Sequence, residues 1–168
     1  MHALLRRVTE FLLRWHAHQR ETFATIDGMF LLDDVVGFMG EKDFLEFGFP
    51  YLKELYAADV TVKFFHNDAP CAKSVRHYPA LGINLFNPGI QSPLNELREL
   101  AGPSLTLVGN IPPRDVLAKG SPDDVRAAVR RLLTETRDHS RWILSCGGGM
   151  PPDVSTENIR AFVEVAQS

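Results

Sequence analysis

Between positions 66 and 71 stand four residues able to do chemistry: His66, Asn67, Asp68 and Cys71. A histidine beside an aspartate could form a proton-transfer pair. Imidazole is the side chain that most often gives or takes a proton in enzyme sites, and a carboxylate is a common partner for it. The same stretch reads H-x-D-x-x-C. With Cys146 it offers the nitrogen, oxygen and sulfur donors that zinc accepts, so His66, Asp68, Cys71 and Cys146 form a candidate metal set. The plain alternative is a hydrogen-bonded structural histidine followed by turn residues.

Asp33 and Asp34 are paired carboxylates at the end of another apolar run. Successive strand residues face opposite ways. One of the two is therefore expected to aim at a site and the other to cap the next segment, and the sequence does not choose between them. Asn110, in Gly109-Asn110-Ile111-Pro112-Pro113, could orient a substrate through its amide or simply shape the loop. Asp33, Asp34, His66, Asp68 and Asn110 are thus the candidate catalytic residues. Asn67, Asn87, Gly147 and Gly148 are the candidate substrate-binding positions. Gly147-Gly148-Gly149 is a weak phosphate signal, equally explained by a tight turn. Cys146 could instead be small core filling.

Most of these residues fall at the ends of short apolar runs, and those runs define the elements. Strands are expected at Met29 to Leu32, Val60 to Phe65, Ile83 to Phe86, Leu105 to Val108 and Trp142 to Leu144. Such runs suit parallel strands buried on both faces. Helices alternate with them. Leu4, Leu5, Val8, Phe11, Leu12 and Trp15 form one stripe at the 3.6-residue period. A second helix spans about Asp43 to Tyr56, with Pro50 expected to kink or divide it. Ser121-Pro122-Asp123-Asp124 is a helix start. The last helix begins near Ser155 or Thr156. Alternation of this kind implies a parallel α/β sheet, either doubly wound or a (β/α)8 barrel. Both place a site beyond the C-terminal ends of the strands, where the polar residues collect. No GxGxxG follows the first strand, so a dinucleotide fold is not indicated.

Bulk properties exclude several classes. The 168 residues carry a net charge of −3, which gives no footprint for nucleic acid. No apolar run reaches the length of a membrane span. Two cysteines make no disulfide framework and read as reduced thiols of a cytoplasmic protein. The Arg-rich first helix contains Glu10 and lacks serine and a cleavage site, so it reads as a surface helix and not a targeting segment. The four histidines His16, His18, His77 and His139 read as surface residues.

The segments LLDDVVGFMGEKDFLEFGFPYLKELYAA, VKFFHNDAP, LVGNIPPRDVLAKGSPDDVRAAVRRLL and ILSCGGGMPPDVSTENIRAFVEVA resemble the C-terminal half of the uroporphyrinogen decarboxylase superfamily. The resemblance implies that residues 1–168 are one partial domain: about five βα units of a TIM (β/α)8 barrel. The family includes the tetrapyrrole decarboxylase of haem biosynthesis and cobamide-dependent methyltransferases. The decarboxylase needs no cofactor and carries G-H-G where this chain has Gly147-Gly148-Gly149. The methyltransferases hold zinc through H-x-C and a later cysteine. Here H-x-C reads His66-Asn67-Asp68, the later cysteine would align at Gly148, and Cys146 lies two residues earlier. The resemblance therefore implies a divergent branch, leaning towards corrinoid-linked methyl transfer in one-carbon metabolism. Zinc and a corrinoid would be its cofactors, and a small molecule or a corrinoid protein its substrate. The alternatives are a cofactor-free tetrapyrrole carboxy-lyase and a catalytically incomplete barrel or accessory subunit. Five strands leave open edges and a bare apolar face, so the chain is expected to form an oligomer or to complement an N-terminal half-barrel.

Overall fold

The structure is a computed structural model, which describes residues 1–167. Its elements follow one another as helix, then strand and helix repeatedly. They are α1 (His2–Thr22), β1 (Gly28–Leu32), α2 (Glu41–Asp43), α3 (Phe49–Leu55), β2 (Val62–Asn67), α4 (Tyr78–Leu81), β3 (Leu85–Pro88), α5 (Leu94–Ala101), β4 (Thr106–Val108), α6 (Pro122–Glu135), β5 (Trp142–Ile143) and α7 (Thr156–Ala166). Short 3-10 turns at Val35–Phe38 and Val75–His77 precede α2 and α4. No described helix is long and apolar enough to cross a membrane.

The strands form one parallel sheet in the order β1-β2-β3-β4-β5. A doubly wound sheet reverses its order at a switch point. This one never does, so the winding is that of a (β/α) barrel, and the five strands make part of one.

Local sequence explains the helix boundaries. Ser121 Oγ accepts from Asp124 N while the Asp124 carboxylate accepts from Ser121 N, a reciprocal cap that starts α6, with Pro122 in the first turn. Ser155 Oγ accepts from Asn158 N and starts α7. Pro50 divides the expected helix: a π-helical segment, Phe44–Gly48, separates α2 from α3, and Pro50 sits in the first turn of α3.

Register sorts the strand residues by face. Phe30 pairs with Phe64, Leu32 with His66, His66 with Asn87, and Leu85 with Thr106. These share one face. The alternate residues Met29, Phe65, Phe86 and Leu107 lie under the helices, each no more than 5% exposed. Tyr78 packs edge-on against Phe65 and Phe86, with ring centroids 5.1 and 5.0 Å apart. A second apolar cluster joins α6 to α7 through Val125, Val129, Ala161 and Val165. The opposite sheet face is open. Phe30 is 52% exposed, Leu32 65% and Ile143 50%. That face would line the inside of a closed barrel.

Candidate functional site

The C-terminal ends of the strands converge on His66. The structure extends β2 to Asn67, so His66 and Asn67 lie within the strand and face opposite sides. His66 points to the open face and Asn67 to the helices. Asn67 is fully buried; its Oδ1 accepts from Ala69 N at 2.7 Å and its Nδ2 reaches Tyr78 Oη at 3.5 Å. It shapes the turn and cannot touch a substrate, contrary to its expected role.

His66 Nδ1 lies 2.9 Å from Asn87 Oδ1. Asn87 Nδ2 donates to two carbonyls, Val108 O at 2.6 Å and Cys146 O at 3.1 Å. Carbonyls only accept, which fixes the amide orientation and turns Oδ1 towards His66 and towards Gly148 N, 3.1 Å away. Nδ1 must therefore carry the proton, and the neutral imidazole keeps its lone pair on Nε2. Asn87 is buried and its amide is wholly engaged by protein. It positions His66 and does not bind substrate.

His66 Nε2 stands 3.5 Å from Asp68 Oδ2. The Asp68 carboxylate is half exposed and borders a cleft of about 250 Å³ that also touches Gln91, Arg114, Asp115 and Gly147. The two neighbouring aspartates have different partners. Asp34 Oδ1 accepts from Asp68 N at 2.7 Å and so ties the end of β1 to the residue beside His66. Asp33 Oδ1 accepts from Val35 N at 2.9 Å and caps the 3-10 turn. Burial raises the Asp33 carboxyl above its ordinary value, against smaller opposing effects of the Val35 and Val36 amides.

Other expected roles are not supported by the geometry. Asn110 Nδ2 donates to Gly89 O and Ser92 O, each at 3.2 Å, so its amide hydrogens brace the loop after β3. Gly147 N donates to Ile111 O at 2.9 Å, and Gly148 N is held by Asn87, which removes both amides as phosphate or substrate donors. The candidate zinc set does not assemble. Cys71 is 2% exposed within the helix-side core, where burial pushes its thiol up to about 12. Cys146 Sγ donates to Gly148 O at 3.0 Å. Among the described residues no group of three His, Cys, Asp or Glu side chains could hold a metal ion. His66 and Asp68 are a pair without a third donor.

Sequence reasoning missed Gly37 and Gly89. A Cβ at Gly37 would lie 2.5 Å from Ala69 Cβ, and one at Gly89 would lie 2.4 Å from Asp68 O. Both allow neighbouring strand ends to press on the Asp68 turn. The available signal was a glycine just beyond each strand, at the level where the polar residues gather.

The uroporphyrinogen decarboxylase (URO-D) family model matches residues 1–168. The uroporphyrinogen decarboxylase of Campylobacter fetus is 29% identical over 173 residues, covering 99% of this chain and 48% of its own length. That of Thermus thermophilus is 28% identical, covering 99% and 48%. The chain thus spans about half the length of these relatives. Among solved structures, a methyltransferase from Methanosarcina mazei superposes with a TM-score of 0.74 at 20% identity, over 86% of this chain and 42% of that one. At that identity the likeness concerns the fold.

Proposed function

The chain belongs to the uroporphyrinogen decarboxylase family, and we propose that it supplies part of a barrel whose site moves a proton at carbon during loss of a carboxylate. His66 is the proton carrier and Asp68 its counter-charge. The observation that carries this reading is the tautomer lock. With Nδ1 committed to Asn87, proton exchange runs through Nε2, the nitrogen facing Asp68.

The chemistry balances with this chain's own groups. The carbon–carbon bond to the carboxylate breaks, carbon dioxide leaves, and the electron pair stays on carbon. That pair takes the proton from Nε2 of the His66 cation. His66 is left as the neutral tautomer that Asn87 holds, and solvent reaches it again by way of the half-exposed Asp68. Arg114, on the same cleft, is the cation available to grip an anionic substrate group. Zinc- and corrinoid-dependent methyl transfer would require three metal donors, and the described residues bring only two together. The bare inner face calls for the remaining strands of a barrel, supplied by further chain or by a partner.

The test is carbon dioxide release from uroporphyrinogen, with solvent deuterium incorporated into the product. It uses this chain co-expressed with the unmatched portion of the Campylobacter fetus relative. His66→Gln should lower release by about 10²- to 10⁴-fold, the usual worth of a positioned acid. Equal release by the variant sinks the reading. So does one zinc per chain that disappears in His66→Ala, an outcome that restores the methyl-transfer alternative.

A further inference from the structure

The turn that carries Asp68 is confined on several sides. Its backbone N–H is taken by Asp34 Oδ1 at 2.7 Å. Gly89 lies so close that a Cβ there would stand 2.4 Å from Asp68 O and 2.8 Å from its Cα. Gly37 presses on the following residue, with a would-be Cβ 2.5 Å from Ala69 Cβ. The backbone of Asp68 therefore has little room to shift. Its carboxylate occupies the hollow over Gly148. A Cβ at 148 would lie 2.7 Å from Oδ1 and 2.9 Å from Oδ2. Gly148 has no room to retreat either, since its N–H bonds Asn87 Oδ1 at 3.1 Å and its carbonyl accepts from Cys146 Sγ at 3.0 Å.

We propose that Asp68 and Gly148 form one positioning unit, in which the missing side chain at 148 admits the Asp68 carboxylate to its station 3.5 Å from His66 Nε2. A carboxylate at 68 in this place and a side chain at 148 exclude each other. With glycine at 148 the site presents an imidazole with a counter-charge; with any larger residue it presents an imidazole alone. This rests on the reading of His66 and Asp68 as a working pair, but the geometry that supports it is independent of any activity.

The clash at Gly148 is with the free end of a side chain and the one at Gly89 is with backbone, so the two should respond differently. Gly148→Ala carries the strain of a positive φ and, beyond that strain, should expel the carboxylate. Gly82 is the control: it has a similar φ, +97° against +91°, and a Cβ there would meet nothing closer than 3.6 Å. The measurement is the imidazole 15N and 1H resonances of His66 at one fixed pH. Gly148→Ala should shift them as Asp68→Ala does, the double variant should match Asp68→Ala alone, and Gly82→Ala should leave them in place. Unmoved resonances in Gly148→Ala overturn the proposal, as do shifts that add in the double variant. If Gly148→Ala does not fold, a folded Asp68→Ala/Gly148→Ala protein supports the unit and an unfolded one refutes it. An inactive site would sink the proton-transfer reading while these resonances still report on Asp68 and Gly148.

Discussion

Asn87 Oδ1 lies 2.9 Å from His66 Nδ1 and 3.1 Å from Gly148 N, and it receives a hydrogen bond from each. The other half of the same amide donates to Val108 O and Cys146 O. One buried side chain thus joins β2, β3, β4 and the loop after β5. A four-bonded amide has one stable orientation, and that orientation dictates which histidine nitrogen holds the proton.

Asn87→Ala should therefore do two things. Stability should fall by about 2–4 kcal/mol, since two carbonyls and two N–H groups lose partners in a buried place. Urea denaturation measures that loss. Neutral His66 should also cease to be a single tautomer, which two-bond 15N–1H correlation spectra report directly. Asn87→Asp should keep the tautomer, because the carboxylate still accepts from Nδ1, yet lose stability by facing two carbonyl oxygens. A variant that retains full stability would mean that the amide is not the hub.

Asp33 gives a prediction in pH. Burial raises its carboxyl in the folded protein, so the folded state binds its proton more tightly than the unfolded chain does. Its ionisation consequently subtracts from stability as pH rises through the raised folded value, and that loss is absent below the unfolded value. Asp33→Asn keeps an oxygen to accept from Val35 N. The variant should be at least as stable as the parent at pH 7, and the gap should close as the pH is lowered into the acid range. Urea midpoints taken from pH 3.5 to 7.5 test the sign. A gap that widens on acidification contradicts the burial argument.

The sequence made the elements legible because their signals are local. Short runs, mostly apolar and β-branched or aromatic, marked all five strands, and Ser121-Pro122 marked a helix start that the structure caps as expected. It also drew attention to His66 and Asp68, which the structure brings to 3.5 Å of each other. The failures share a cause: direction across the sheet. Asn67 and His66 are adjacent, yet the strand runs two residues beyond Phe65 and turns Asn67 into the helix layer. Cys71 has a ligand's spacing from His66 but lies in the turn that dives into the core. Asn87 was readable as polar and strand-terminal. Its four partners come from β2, β4 and the loop after β5, and no local pattern encodes such distant contacts.

The thiols should differ sharply in reactivity. Thiolate is the reactive form. Cys71 is buried, and its thiol is pushed up to about 12, so it should stay silent to disulfide reagents in the folded state. Cys146 is partly exposed. Native protein should give one titratable thiol and denatured protein two. Cys146→Ser should remove the native signal. A fast second thiol in the native protein would place Cys71 outside the core.

The open sheet face makes the last prediction. Leu32 on β1 and Ile143 on β5 are 65% and 50% exposed, and Phe30, stacked on Phe64 at 4.6 Å, is 52% exposed. Fully burying one such side chain is worth about 1.5–3 kcal/mol, so several together can drive association even where no strand edges pair. The isolated chain should sediment as species larger than one chain, at a size that grows with concentration. Replacing Phe30, Leu32 and Ile143 together by lysine should shift the distribution towards monomer. Each change should cost the monomer little, within about 0.5 kcal/mol for an exposed position, because these side chains contribute little to its core as it stands. Co-expression with the unmatched portion of the Campylobacter fetus relative should reverse the ranking if a barrel closes, since the same lysines would then be enclosed without partners and would block assembly. A parent chain that remains monomeric at high concentration would show that the face is better solvated than its residues suggest, and would remove the physical case for a complement to cover it.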